Sequence, residues 1–305
     1  MEGVGFDHLS INNTMGSFAG HIDEGIIFIV LAVWWFWNIW KRHTKTSDRK
    51  TEYTSYLSYT TTVRGRSVPL EAILKVLFPF GAIWAEVFSA ESFINEEGQF
   101  SYLSNMQHMT VYMLFLLHGI LEIIRFYRPN QFEGMSYLAV CLGFLWYGTT
   151  FYYHSMPNMG KEELENIIHR LPIPVIMVCG LCLIFECIWR HSVYPQLIRT
   201  YCVLTVGTWF TYTSFVLFLP YPFPGPHHNP AWDQSDERNV HFMVVAFGIH
   251  LNINLIFVLL STVVLTVFKR MFYACADGNG NNDIMDVKYS LLDTSDDTIT
   301  SEENV

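Results

Sequence analysis

Long apolar runs and short polar stretches alternate along the chain. The longest run, Asn239 to Phe268, holds thirty residues without a formal charge and is followed at once by Lys269 and Arg270. That exceeds the roughly 20 residues an α-helix needs to cross a bilayer, so it predicts a tilted span. Six further spans are predicted over about 24–40, 68–88, 107–126, 136–153, 171–189 and 197–219. The first ends in Trp34-Trp35-Phe36-Trp37 and then Lys41-Arg42, read as an interfacial aromatic belt with flanking charge. The second is the weakest, because Glu71, Lys75, Pro79 and Glu86 interrupt it, which predicts shielding by neighbouring helices. Lys75 there is read as snorkelling to the surface. Residues 41–67 read as a polar loop, 157–170 as a short acidic connection, and Pro220 to Pro226 as a stiff turn-rich loop.

The expected fold is therefore all-α: a polytopic membrane protein built as a seven-transmembrane-helix bundle. Cytoplasmic loops retain Lys and Arg during insertion. The loops after spans one, three and five and the C-terminal tail hold seven, two, two and three such residues, against Lys161, Arg170 and Arg238 on the other side. The N-terminus is thus expected to be lumenal or extracellular and the C-terminus cytoplasmic. The sequon Asn12-Asn13-Thr14 makes Asn12 a glycosylation candidate on the same side. Residues 1–23 form a lumenal segment in this reading, 24–270 the membrane domain, and 271–305 a disordered acidic cytoplasmic tail. Tyr289-Ser-Leu-Leu292 in that tail has the Tyr-x-x-apolar form that clathrin adaptors bind, with Tyr289 and Leu292 as its anchors.

Composition agrees with a membrane protein, since 51% of residues are hydrophobic and only 15% charged. The net charge of −10 is mostly local, because residues 274–305 hold eight acids against one Lys. The one basic cluster, Lys41 to Arg66, is explained by topology, so no nucleic-acid partner is expected; the lipid bilayer is. Five of the six cysteines lie in apolar runs, which fits packing rather than a disulfide framework.

The candidate chemistry is a set of polar residues within the spans, where buried charge is costly. At a rise of about 1.5 Å per residue, His118 and His250 lie near the midplane, while Glu86, His108, His154 and His241 lie toward the lumenal boundary. Glu122 and Glu186 fall in the cytoplasmic half, with Asn254 and His169 as further polar-core residues. Three readings stay open. Glu86, His108, His154 and His250 offer the ligand types of a zinc site. The same groups could form a proton or ion pathway continued by Glu122 and Glu186. Or they cement helix packing, each pair contributing about 0.6 kcal/mol. A G-protein-coupled receptor is not supported, because the third span ends Ile124-Arg-Phe-Tyr-Arg128 and the seventh lacks Asn-Pro-x-x-Tyr.

The segments Met15-Gly-Ser-Phe-Ala-Gly-His21, Leu70-Glu71, Ala85-Glu86, His108-Met-Thr-Val-Tyr112, Phe151-Tyr-Tyr-His154, His169, Glu186, Pro230-Ala-Trp-Asp233 and His250, in that order, resemble the transmembrane protein 45 family. The match runs from about Met15 to Arg270. It departs in residues 1–14 and at Met156, where the family pattern has a second histidine. The resemblance implies seven spans in Golgi, endosomal or surface membranes and no established reaction or cofactor. The leading expectation is a multi-pass protein of the secretory or endosomal system acting in trafficking or membrane organisation. The alternative is a metal-dependent enzyme or an ion-handling protein.

Overall fold

The structure, a computed structural model, describes residues 18–129, 131–156, 162–218 and 233–277. Among these lie eight helices: α1 (Phe18–Arg49), α2 (Leu70–Ser89), α3 (Leu103–Tyr127), α4 (Glu133–His154), α5 (Glu163–Arg170), α6 (Ile173–Ile188), α7 (Tyr194–Phe218) and α8 (Glu237–Asp277), with one hairpin of β1 (Thr61–Val63) and β2 (Arg66–Val68). The chain is an all-α, multi-pass membrane protein, and six of its helical segments are long and apolar enough to cross a membrane. The segment outside that six is α4, whose apolar content is diluted by Ser136, Thr149, Thr150 and the closing Tyr152-Tyr153-His154. It is nonetheless 22 residues long and packs between α3 and α6.

Local chemistry sets the helix ends. α1 outruns its expected span at both ends and stops where Lys50 turns left-handed, at φ 54°. The 157–170 connection is not all loop. Glu163–Arg170 is helical, because Leu164, Ile167, Ile168 and Leu171 recur at the spacing of one helix face. Leu164 and Ile168 are fully buried. Pro172 and Pro174 then end α5 and start α6, since proline lacks the N–H that a continuing helix would use.

The helices pack as a ring. α1 lies on α7, α7 on α6, α6 on α4, α4 on α3 and α3 on α2. α2 reaches back to α1 through Glu71, which closes the ring. α8 leans on α7 and α5 from outside and presents Val245, Ile253, Leu260, Val264 and Phe268 outward, as lipid-facing sequence does. Glycines permit the close approaches. A Cβ on Gly25 would sit 2.4 Å from Thr211 Oγ1 and 2.7 Å from Thr211 N, and one on Gly119 would sit 2.7 Å from the Lys75 carbonyl oxygen.

Taking as upper the end at which α1 begins, the lower end is sealed by residues 51–59. This strap is extended, and Tyr53, Ser55 and Leu57 point inward at the strand period of two. It therefore enters the bundle, where the sequence predicted a polar loop. Its continuation, the β1–β2 hairpin, turns on Arg64 (φ 52°) and Gly65 (φ 78°), the positive pair of a type I′ turn. Strap atoms meet polar groups that have left water. Gln196 donates to the Tyr56 carbonyl (2.6 Å) and Tyr59 hydroxyl (2.9 Å) and accepts from the Tyr53 hydroxyl. Burial, then the nearby Glu186 carboxylate, pushes the Tyr53 hydroxyl far above its ordinary pKa, so it remains a donor.

Two ion pairs sit against the strap. Glu71 accepts from Trp34 Nε1 (2.9 Å), Trp35 Nε1 (2.6 Å) and the Tyr59 backbone N–H (2.8 Å), and pairs with Lys75 at 2.6 Å. Lys75 also donates to Leu57 O and Ser58 Oγ, so it is buried and paired rather than snorkelling. The tryptophan run is likewise split: Trp35 is buried, Trp34 reaches inward to Glu71, and Trp37 faces out. Glu186 and Arg199, both fully buried, meet at 3.0 Å, with the Tyr137 hydroxyl donating to Glu186 and the Arg199 guanidinium 4.4 Å above the Trp35 ring.

These contacts make two predictions. Gly25→Ala should destabilise the protein by about 1–3 kcal/mol through forced separation of α1 and α7. Gly81→Ala, with open space around it, should be neutral or mildly stabilising; melting of the two variants in detergent compares them directly. Glu186→Gln should cost more than Arg199→Gln, on the order of 3–5 kcal/mol, because an orphaned carboxyl can take up a proton and an orphaned guanidinium cannot lose one. Equal melting points for that pair would show that the strap does not hold the charge dry.

Candidate functional site

The upper end of the ring gathers titratable side chains from five successive helices. The last turn of α2 supplies Glu86 and the second turn of α3 supplies His108, whose Nδ1 lies 2.8 Å from Glu86 Oε1. Asn105 holds this junction by donating to the Glu86 carbonyl and to Ser89 Oγ. His154, closing α4, places its ring centroid 5.4 Å from that of His108 and 5.0 Å from that of His169 on α5. His21 on α1 extends the row, 5.5 Å from His169. His154 and His169 are buried, whereas the His108 and Glu86 side chains keep 34% and 18% of their surface exposed.

His169 Nδ1 lies 2.7 Å from the Glu165 carbonyl oxygen, an atom that only accepts. Nδ1 therefore carries the proton of the neutral ring, which makes Nε2 its acceptor nitrogen. The carboxylate of Glu24, one helical turn below His21, lies opposite Tyr147, with His108 and Glu86 near enough to feel its charge. Below this layer stands an aromatic tier: Phe28, Phe115, Phe144, Tyr147 and Phe151, with Phe115–Phe144 at 5.2 Å and Tyr147–Phe151 at 4.7 Å. It separates the upper cluster from the ion pairs at the strap.

Of the four residues considered for zinc, the structure brings Glu86, His108 and His154 together and leaves His250 out. His250 lies between α7 and α8, its Nδ1 3.5 Å from Thr208 Oγ1 and its ring 5.1 Å from Tyr212. Its ligand type put it with the others; the depth reckoning had already set it nearer the midplane, and it lies against α7. Among the described residues no group of three or more His, Cys, Asp or Glu side chains is arranged to hold a metal ion. His169, placed in the polar core from sequence, joins the cluster instead.

The remaining polar-core residues form local pairs. Asn254 donates to Thr208 Oγ1 at 2.8 Å. Glu122 accepts from Ser136, whose hydroxyl also lies 3.2 Å from His118 Nδ1, with Arg125 3.6 Å away. Glu186 belongs to the lower seal. The candidate positions Asn12, Tyr289 and Leu292 lie outside the described residues.

Sequence reasoning missed Glu24, Tyr147 and Arg199. Glu24 was taken as the edge of a span, though its spacing of three from His21 puts both on one face. Arg199 was counted among loop charges, though it lies inside α7. Tyr147 carries no signal of its own in an aromatic-rich helix.

Comparison with known proteins adds the following. Residues 133–263, from the start of α4 well into α8, match a family model described as "Family of unknown function (DUF716)". Over 258 residues the chain is 27% identical to transmembrane epididymal protein 1 of Rattus norvegicus, covering 79% of this chain and 78% of that protein. Over 256 residues it is 27% identical to transmembrane epididymal protein 1A of Mus musculus, with the same two coverages. The human transmembrane epididymal protein 1 is 24% identical over 165 residues. The chain is thus a multi-pass membrane protein similar to the transmembrane epididymal proteins, and its second half resembles a family whose function is not defined.

Proposed function

We propose that this chain is a pH-responsive membrane protein of the secretory, endosomal or surface membranes, related to the transmembrane protein 45 family. In this reading it has seven spans, with the upper end lumenal and the acidic tail cytoplasmic. The observation that carries the reading is the row His108, His154, His169 and His21, contributed by α3, α4, α5 and α1. Imidazole changes charge between about pH 5 and 8, the range over which such compartments differ. The row is faced by Glu24 from α1, Glu86 from α2, the hydroxyls of Tyr112 and Tyr147 from α3 and α4, and Arg170 beside His169.

The sign follows from the distances. Protonation of more than one ring of the row places like charges about 5 Å apart in a poorly solvated site, which disfavours close packing of α3, α4 and α5. Acid therefore loosens the upper end, while neutral pH holds it closed. A conduction path is less well supported, because the aromatic tier interrupts any polar route to the strap. The tail motif Tyr289 to Leu292 fits a protein that cycles between compartments, which retains the trafficking role.

Two outcomes are expected. Amide hydrogen exchange, corrected for intrinsic rate, should quicken in the upper turns of α4 and in α5 between pH 7.5 and 5.5, and His154→Gln with His169→Gln should abolish the difference. An identical pH effect in that double variant would remove the reading. Tyr289→Ala should shift the protein toward the cell surface, as surface labelling would register; an unchanged distribution would remove the sorting role alone.

A further inference from the structure

One polar side chain on α8 is turned toward lipid. Asn252 lies about 20 Å along the helix from Asn239 and about 24 Å from Phe268, near the middle of the uncharged run. It is exposed. The packed side of α8 meets α7 through Phe247 and His250 on Trp209 and through Asn254 on Thr208, and at about 100° per residue Asn252 falls on the opposite side. A carboxamide offers two N–H donors and an oxygen with two lone pairs. Asn252 donates to the Gly248 carbonyl of its own helix at 2.8 Å, and among the described residues nothing else bonds it. Hydrocarbon has no partner for the remainder, and the other polar groups of the spans, Glu71, Glu122, Glu186 and Asn254, are all turned inward.

The surface around Asn252 has the pattern of a helix contact. Val245, Gly248, Asn252, Leu255 and Leu259 follow alternating spacings of three and four, the repeat of a two-helix seam, and form one stripe. Val245, Leu255 and Leu259 are exposed, and a Cβ on Gly248 would meet nothing within 4 Å. Gly25, Gly119 and Gly207, by contrast, each stand where another helix comes close. Gly248 gives the same clearance on a side where the chain supplies no neighbour.

The amide selects the occupant. A carboxamide is its own complement, because the N–H of one bonds the oxygen of another and the exchange is reciprocal. Copies of one chain share one orientation in the membrane, so a two-fold axis along the membrane normal sets Asn252 against Asn252 at the same depth. A stripe of this spacing stays in register between two helices that cross at a small angle, about 20°. A second copy of the chain therefore carries the matching polar group at the matching level, and a single amide at such a seam fixes both register and copy number.

We propose that the outward stripe of α8 is a homodimer face, with the two Asn252 amides paired at its centre, Gly248 permitting the close approach, and Val245, Leu255 and Leu259 packing on their counterparts. α8 contributes no residue to the histidine row, so this face stands apart from the pH-responsive reading.

The test uses the full chain in lipid vesicles, with the dissociation constant read by single-molecule photobleaching over a series of protein-to-lipid ratios. The wild type should pass from one copy to two as its density in the membrane rises. Asn252→Leu should weaken association about tenfold, whereas Asn252→Gln, which keeps a self-complementary amide, should stay within about twofold of the wild type. Gly248→Leu should also weaken association, by holding the helices apart. Both positions face outward, so neither leucine variant should lower the melting point of the monomer. Ile253→Leu, outward but off the stripe, should leave the dissociation constant unchanged. A wild type that stays monomeric at every density, or equal dissociation constants for the wild type and Asn252→Leu, overturns the inference. Equal weakening by Asn252→Leu, Asn252→Gln and Ile253→Leu overturns it too, since the amide would then carry no specificity.

Discussion

A charge that leaves water must find its counter-charge and its hydrogen bonds inside the fold, and the lower half of this protein is built around that requirement. Glu71, Lys75, Glu186 and Arg199 come from three helices of the ring. Glu186 and Arg199 find each other, with Tyr137 and the Trp35 ring, on the helices themselves. The strap adds the Leu57 carbonyl and Ser58 hydroxyl to Lys75 and the Tyr59 N–H to Glu71, while its Tyr56 carbonyl and the Tyr53 and Tyr59 hydroxyls engage the buried Gln196 amide. A loop of water-loving residues is thereby drawn into the bundle. Its alternate Tyr53, Ser55 and Leu57 side chains fill the space that water would otherwise occupy.

The upper end is built from a different set of groups. There His108 pairs with Glu86 at 2.8 Å while its ring also packs on His154, His154 packs on His169, and Glu24 is bonded to the Tyr147 hydroxyl. The lower end sets its carboxylates against Lys75 and Arg199, the upper end against an imidazole and a hydroxyl, and the aromatic tier lies between the two layers.

Much of the architecture was legible because lipid imposes a coarse code. Apolar runs near 20 residues located every long helix; the charges within residues 68–88 did not hide α2, which is neither the least apolar span nor shielded by its neighbours as expected, α4 being the one short of the apolar content of a span. The strap was illegible for the opposite reason. Its inward residues include a tyrosine and a serine, so the period of two that marks a buried extended segment carries no apolar signal there. In the site, depth arithmetic put Glu86, His108 and His154 in one layer, and they do meet, whereas His250, set at another depth, was added for its ligand chemistry and lies against α7. Glu24 was hidden by its position at a predicted boundary, where a charge needs no explanation.

The helix that relates the two ends is α2. It carries Glu71 near its start and Glu86 near its end, with Pro79 between them. Its lower half is fixed on both sides, by the tryptophan indoles of α1 and by the backbone approach that Gly119 permits on α3. Its upper half is held chiefly through the Glu86–His108 contact and the bonds from Asn105. Proline removes one helical hydrogen bond and weakens the helix at that level. Whatever alters the charge on His108 therefore acts on the less secured half of α2, beyond a weakened point and next to the seam with α1. The helix with the least cover from its neighbours is also the one whose position the cluster can most easily change.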